Sequence, residues 1–119
     1  MGTHWRELKV WQKAHEIVLE IYRISTKFPK EERYGLVDQL KRAAYSVPAN
    51  LVEGQNRNST KEYLNFLHIS RGSLEELRYF LLLSKDLSFL DDVTYNRLED
   101  ECRQISQMIN AMISSLRKK

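Results

Sequence analysis

The chain has 119 residues, of which 42% are hydrophobic and 29% are charged, and these values are ordinary for one folded domain. Its 19 basic and 16 acidic residues leave a net charge of +3, a mild bias and not the footprint of a dedicated nucleic-acid-binding protein. The single cysteine, Cys102, excludes an intrachain disulfide and suits a reducing compartment. No apolar run approaches the roughly 20 residues of a membrane span, and the first residues are no secretory signal. We therefore expect a cytoplasmic protein with no membrane partner.

The first helix is predicted from about Glu7 to Lys27, because apolar residues recur there every three or four positions. Trp5 and Leu8 precede or open it. Their apolar area exceeds what one helix edge needs. Two explanations stay open, packing in the core and a contact with another subunit.

The second helix is predicted from about Leu36 to Gln55, and Pro48 lies inside it. A proline there removes one backbone hydrogen bond and crowds the carbonyl of Ala44, at a cost of roughly 3 kcal/mol unless the helix bends. Because the apolar spacing continues through Pro48, we predict one kinked helix and not two elements. Gly54 is placed like a helix terminator.

A polar row lies beside the apolar stripe of the second helix and is predicted to be half buried. Its members are Gln39, Arg42, Ser46, Asn50 and Glu53. Buried polar groups need partners, so Ser46 or Asn50 is expected to bond the carbonyl that Pro48 frees. The row has three explanations: a network that holds the kink and the packing, a ligand or partner site, and catalysis. We favour the first.

Two more helices follow. The third is predicted from Thr60 to about Asp86, and the fourth begins at a cap formed by Asp91 or Asp92. Gly72, beside Ser73 in the middle of the third helix, costs about 1 kcal/mol relative to alanine, so we expect it to mark the close approach of another helix. Four helices with short links predict an all-α fold, an antiparallel up-down-up-down four-helix bundle in a single domain of residues 1–119.

No motif for catalysis or metal binding is found. Di-metal centres in bundles need Glu-x-x-His pairs, and none of the three histidines stands three residues after a glutamate, so structural or surface roles are expected for them. Cys102 lies on the inner stripe of the fourth helix, which favours a buried thiol over a nucleophile. Glu75 follows Arg71 by four residues and is expected to pair with it. We therefore expect no enzyme activity, no cofactor and no metal.

Basic residues flank the predicted kink and the following link, and others lie at the end of the sequence. They are Lys41, Arg42, Arg57, Lys61, Arg117, Lys118 and Lys119. Such a set attracts phosphate weakly and in a salt-sensitive way in a monomer, and more strongly where an oligomer repeats it. An ordinary solvated surface is the alternative explanation.

Several segments together have the pattern of a known family. They are Phe28-Pro29, Tyr34-Gly35-Leu36, Gln39-Leu40, Arg42-Ala43-Ala44, Ser46-Val47-Pro48-Ala49-Asn50, Glu53-Gly54 and Arg71-Gly72-Ser73-Leu74-Glu75-Glu76-Leu77. In these segments the chain resembles the 23S rRNA intervening-sequence proteins, also called four helix bundle proteins. The resemblance implies a ring-shaped homopentamer and no established biochemical activity. A similar protein, the accessory variability protein of diversity-generating retroelements, binds nucleic acid and a partner reverse transcriptase.

The resemblance and the basic residues lead to one main hypothesis, a non-enzymatic homopentamer that associates with RNA or with an RNA-handling protein. The alternative is a structural or adapter oligomer that binds a protein through Trp5, Leu8 and Trp11 and has no affinity for nucleic acid. An enzyme that uses the polar row of the second helix is a third, disfavoured hypothesis.

Overall fold

The computed structural model describes residues 4–118, which form four α-helices and two short 3-10 turns. The helices are α1 (Lys9–Ser25), α2 (Leu36–Gln55), α3 (Thr60–Asp86) and α4 (Asp92–Arg117). The turns, Trp5–Glu7 and Lys30–Glu32, precede α1 and α2. The described residues contain no strand, so the predicted all-α class is confirmed. No helix among them is long and apolar enough to cross a membrane.

The helices close into a bundle 46 Å long and 23 × 20 Å across, because α2 contacts α1 and α3 while α4 contacts α3 and α1. Apolar stripes from all four meet in one core, in which Ile21, Leu40, Leu67 and Ile109 have no exposed surface. Burial of each such side chain stabilises the fold by roughly 1.5–3 kcal/mol. The amphipathic spacing in the sequence therefore corresponds to the observed core.

Side-chain hydrogen bonds define how the helices are aligned. On α2 and α3, Ser46 contacts Ser73 and Gln55 contacts Tyr63, so rising residue numbers on one helix meet falling numbers on the other. The link of residues 56–59, between α2 and α3, therefore lies at the same end as the start of α3, and we call this the 56–59 end. The last turns of α4 also lie there, since Tyr63 shares a groove with Leu116.

The helix α2 runs through Pro48 as one element, while the bend at this proline stays a prediction. The expected repair of the freed Ala44 carbonyl is wrong. Asn50 Nδ2 donates instead to the Ser46 carbonyl at 2.7 Å and to Ser46 Oγ at 3.0 Å. A helical side chain reaches back about four residues, and the Ala44 carbonyl is six residues before Asn50.

Neither of two glycines has the role that the sequence predicted for it. Gly54 does not end α2, which continues to Gln55, and it has no positive φ. It is buried against α3: a Cβ there would lie 2.9 Å from Tyr63 Cδ1 and 3.1 Å from Phe66 Cβ. Gly72 is exposed, and a Cβ there would meet no atom within 4 Å. The described chain thus requires close approach at Gly54 and not at Gly72.

We expect the two glycine-to-alanine substitutions to change stability in opposite directions. Gly72→Ala should raise the free energy of unfolding by about 0.5–1 kcal/mol, because it removes backbone entropy at no steric cost. Gly54→Ala should lower it by about 1 kcal/mol or more, because overpacking costs roughly 1–3 kcal/mol and exceeds the gain in helix propensity. Urea unfolding followed by circular dichroism measures both. Equal effects of the two substitutions would contradict the packing described at Gly54.

Candidate nucleic-acid interface

The polar row of α2 joins this helix to α3. Ser46 Oγ lies 2.8 Å from Ser73 Oγ, and the buried Ser70 hydroxyl donates to the Val47 carbonyl at 2.9 Å. Asn50 completes the network through its bonds to Ser46. These groups satisfy one another, and none of them is held beside a base or a nucleophile. We therefore attribute the network to helix packing.

The prediction that the whole row is half buried is only partly right. Ser46 and Asn50 are half buried, whereas Gln39, Arg42 and Glu53 are exposed. The reason is geometric, because α3 covers one side of α2 and the second group of side chains turns away from it. Glu53 instead forms an ion pair with Arg57, with an N–O distance of 2.6 Å.

Neither the thiol of Cys102 nor any group of metal-binding side chains among the described residues is arranged for catalysis. Cys102 has no exposed surface, and its burial raises the pKa of the thiol to about 12, so that it stays protonated near neutral pH. The described residues hold no group of three or more side chains that could bind a metal ion. Neither observation supplies a reactive centre.

The structure separates two of the predicted basic residues from the rest. Lys41 is half buried, with its Nζ 4.7 Å from the centre of the Tyr22 ring, a cation–π contact with α1. Arg42 is exposed and shares a cleft with Tyr45 and Glu76. Both precede the end of α2 by about 20 Å, given its rise of about 1.5 Å per residue. They do not belong to one patch with Arg57.

The other described basic residues of the set collect at the 56–59 end. Arg57 lies in the link, with its guanidinium 4.7 Å from the centre of the Phe66 ring and paired with Glu53. Lys61 lies in the first turn of α3, and Arg117 and Lys118 lie at the end of α4; all three are exposed. Lys119 is outside the described residues.

Two residues to which the sequence assigned other roles, Arg71 and His68, also lie where α3 packs against α4. We call this line of contact the seam between α3 and α4. Arg71 does not pair with Glu75: its Nη1 donates to Asn110 Oδ1 at 2.9 Å, and its Nη2 lies 3.0 Å from His68 Nδ1. Glu75 pairs with Arg78 instead, at 3.0 Å. The seven-residue spacing between Lys61 and His68 places both on one helix face, and this signal in the sequence could have grouped them.

Carboxylates accompany the arginines of the opposite half of the bundle. Arg78 is bound by Glu75 and Glu99, Arg97 by Glu20 and Glu101, and Arg103 by Asp100. The hydrogen bond from Arg97 holds the pKa of the Glu20 carboxyl below its usual value. By contrast, no described carboxylate lies within ion-pair distance of Lys61, Arg71, Arg117 or Lys118. These four basic residues therefore differ from the arginines of the opposite half in having no described carboxylate partner.

The aromatic residues near the N-terminus pack on one another. The Trp5 and Trp11 rings meet edge to face with centroids 4.8 Å apart, and Trp11 stacks on His15 at 5.0 Å. Leu8 and Trp11 also pack against the core. Much of the apolar area that prompted the hypothesis of a partner contact is therefore covered within the chain.

Comparison with protein families decides the relationship. Residues 6–111 match the model of the family described as 23S rRNA-intervening sequence protein. The chain belongs to this family. No match is found among curated proteins.

A solved structure has the same fold as this family member. It is a protein from Bacteroides thetaiotaomicron, described as one of unknown function from the S23 ribosomal protein family. The two chains are 21% identical, with a TM-score of 0.81, and the match covers 87% of this chain and 97% of the other. At this identity the likeness concerns the fold alone.

Proposed function

We propose that this protein is a non-enzymatic, self-associating helical bundle that binds RNA through the 56–59 end. The observation that carries the proposal is the charge arrangement: Lys61, Arg117 and Lys118 are exposed and have no described carboxylate partner. Unneutralised cations on one surface are the electrostatic requirement for binding a phosphate backbone. The buried, protonated Cys102 and the self-satisfied serine network support the absence of catalysis.

The choice of RNA rests on the family. Its members are described as 23S rRNA-intervening sequence proteins, and this association with ribosomal RNA is our reason for choosing RNA among the possible polyanions. The resemblance to the accessory variability protein of diversity-generating retroelements supports a second proposal, that an RNA-handling enzyme such as a reverse transcriptase is a protein partner. Both ligands place the protein in the cytoplasm in this proposal.

Self-association is proposed to occur through an exposed apolar stripe on α3. Ile69 and Tyr79 are 50% and 56% exposed, and Gly72 and Glu76 lie between them at helical spacing. Tyr45 of α2 lies beside Glu76 and is also exposed. Exposed apolar side chains on one helix face favour burial against another chain, and a second copy of this chain is the proposed occupant. A homopentamer, as the resemblance implies, would repeat the basic end five times.

Removal of two charges should weaken RNA binding only when those charges lie at the 56–59 end. We expect Lys61→Gln with Lys118→Gln to reduce the steepness of log K against log salt by about 0.7 for each lost phosphate contact, as counterion release predicts for single strands. Lys41→Gln with Arg42→Gln removes the same charge elsewhere and should leave the slope unchanged. Fluorescence anisotropy with a labelled RNA oligonucleotide at several salt concentrations measures both slopes.

Equal slopes for the two double variants would contradict the proposal. A wild-type protein that binds no RNA would favour the adapter hypothesis.

Charge placed on the apolar stripe should break the oligomer. Light scattering of the wild-type protein should give about five times the chain mass of 14.2 kDa. Ile69→Glu with Tyr79→Glu should give a smaller species, because glutamates that become buried in an interface lose their hydration without a partner. Val93→Glu is the control, since Val93 is 80% exposed and lies on α4. A wild-type monomer, or an oligomer indifferent to the double substitution, would refute this interface.

A further inference from the structure

We propose that His68, Arg71 and Arg117 form a phosphate-binding subsite on the seam between α3 and α4. Its assignment to the backbone of RNA rests on the proposed function, whereas its affinity for phosphate as such does not. Arg71 Nη2 lies 3.0 Å from His68 Nδ1, and Arg117 Nη2 lies 3.4 Å from His68 Nε2. One imidazole is thus held between two guanidinium groups.

The hydrogen-bond donors of this group exceed its acceptors. A neutral imidazole has one N–H and one acceptor nitrogen, whereas a guanidinium has donors only. One nitrogen of a neutral His68 accepts a hydrogen bond from one of the two arginines. The other nitrogen then carries an N–H that faces the N–H groups of the second arginine. Two donors then face the same space, and an oxyanion beside them can accept from both.

The arginine on α3 is positioned by a neutral group. Arg71 Nη1 donates to Asn110 Oδ1 at 2.9 Å, which fixes the guanidinium without cancelling its charge. Both His68 and Arg71 are half buried, so their orientation is restricted before a ligand arrives. Arg117 is exposed and close enough to the imidazole to share one ligand oxygen with it.

The surroundings favour a phosphate of a chain over an isolated carboxylate. Lys61 lies two turns before His68 on the same face of α3, about 10 Å along the axis, and supplies a further cation. Toward the C-terminal end of α3, Glu75 forms an ion pair with Arg78. The row of basic residues that begins at Lys61 therefore ends before Glu75. A strip of cations with this spacing suits a polyanion with repeated charges.

The three histidines give a direct test by NMR at constant pH. Their imidazole signals are recorded while the folded wild-type protein is titrated with inorganic phosphate and, separately, with an oligouridylate. His68→Gln assigns the signal of His68, leaving those of His4 and His15. We expect both ligands to shift the His68 signal selectively, and Arg117→Gln to weaken phosphate binding about tenfold, as for the loss of one charge-assisted hydrogen bond. Arg103→Gln is the matched control, because Arg103 is exposed and pairs with Asp100.

The outcomes separate the subsite from the proposed function. RNA binding seen by anisotropy with an unmoved His68 signal overturns the subsite and leaves the proposed function intact. A phosphate-induced shift of His68 in a protein that does not bind RNA supports the subsite as a site for free phosphate and overturns the proposed function. An equal loss of phosphate affinity in Arg117→Gln and Arg103→Gln overturns the subsite as well.

Discussion

The close contact between α2 and α3 is the constraint on which the other features depend. Tyr63 and Phe66 approach the backbone of Gly54 so closely that a methyl group there would lie within 3 Å of the Tyr63 ring. Tyr63 also donates to Gln55 at 2.6 Å, and the Ser70 hydroxyl reaches the Val47 carbonyl. These contacts allow one alignment of the two helices, because a shift by one turn would bring a side chain onto the glycine and leave buried hydroxyl groups without partners. The first turns of α3, held in this way against α2, lie beside the last turns of α4, since Tyr63 shares a groove with Leu116.

Charge is distributed unevenly along the helical bundle, although the net charge is only +3. In the half of the bundle near the start of α4, arginines such as Arg78 and Arg97 are each bound by two carboxylates. In the other half of the bundle the partner of Arg71 is an asparagine, and Arg117 faces a histidine. Short-range interactions with a ligand depend on such local imbalance more than on the total charge, because ions screen exposed charges beyond about 10 Å. A mildly basic chain can therefore present, at one end, several cations that have no carboxylate partner.

The sequence predicted the helices well, and it predicted the contacts between them poorly. The apolar spacing placed α2 and α3 at their observed bounds, since the repeat of three and four residues reflects the burial of one helix face. The same spacing does not reveal which neighbour covers a given position, and for this reason the close approach of another helix was assigned to Gly72 and not to Gly54. The basic residues were grouped by nearness in sequence, but the length of α2 separates Lys41 and Arg42 from the link. The environment of His68 depends on the alignment of α3 with α4, which no local pattern contains.

In the proposed complex, RNA contacts the seam of α3 and α4 at the 56–59 end. Ultraviolet crosslinking of the wild-type protein to a uridine-rich RNA, followed by mass spectrometry of the crosslinked peptides, locates the contact. We expect the nucleotide adducts to map to residues 57–71 and 110–118, where aromatic and basic side chains lie together. Adducts confined to residues 36–45, or a protein that forms none under conditions where a known RNA-binding protein crosslinks, would rule out this contact.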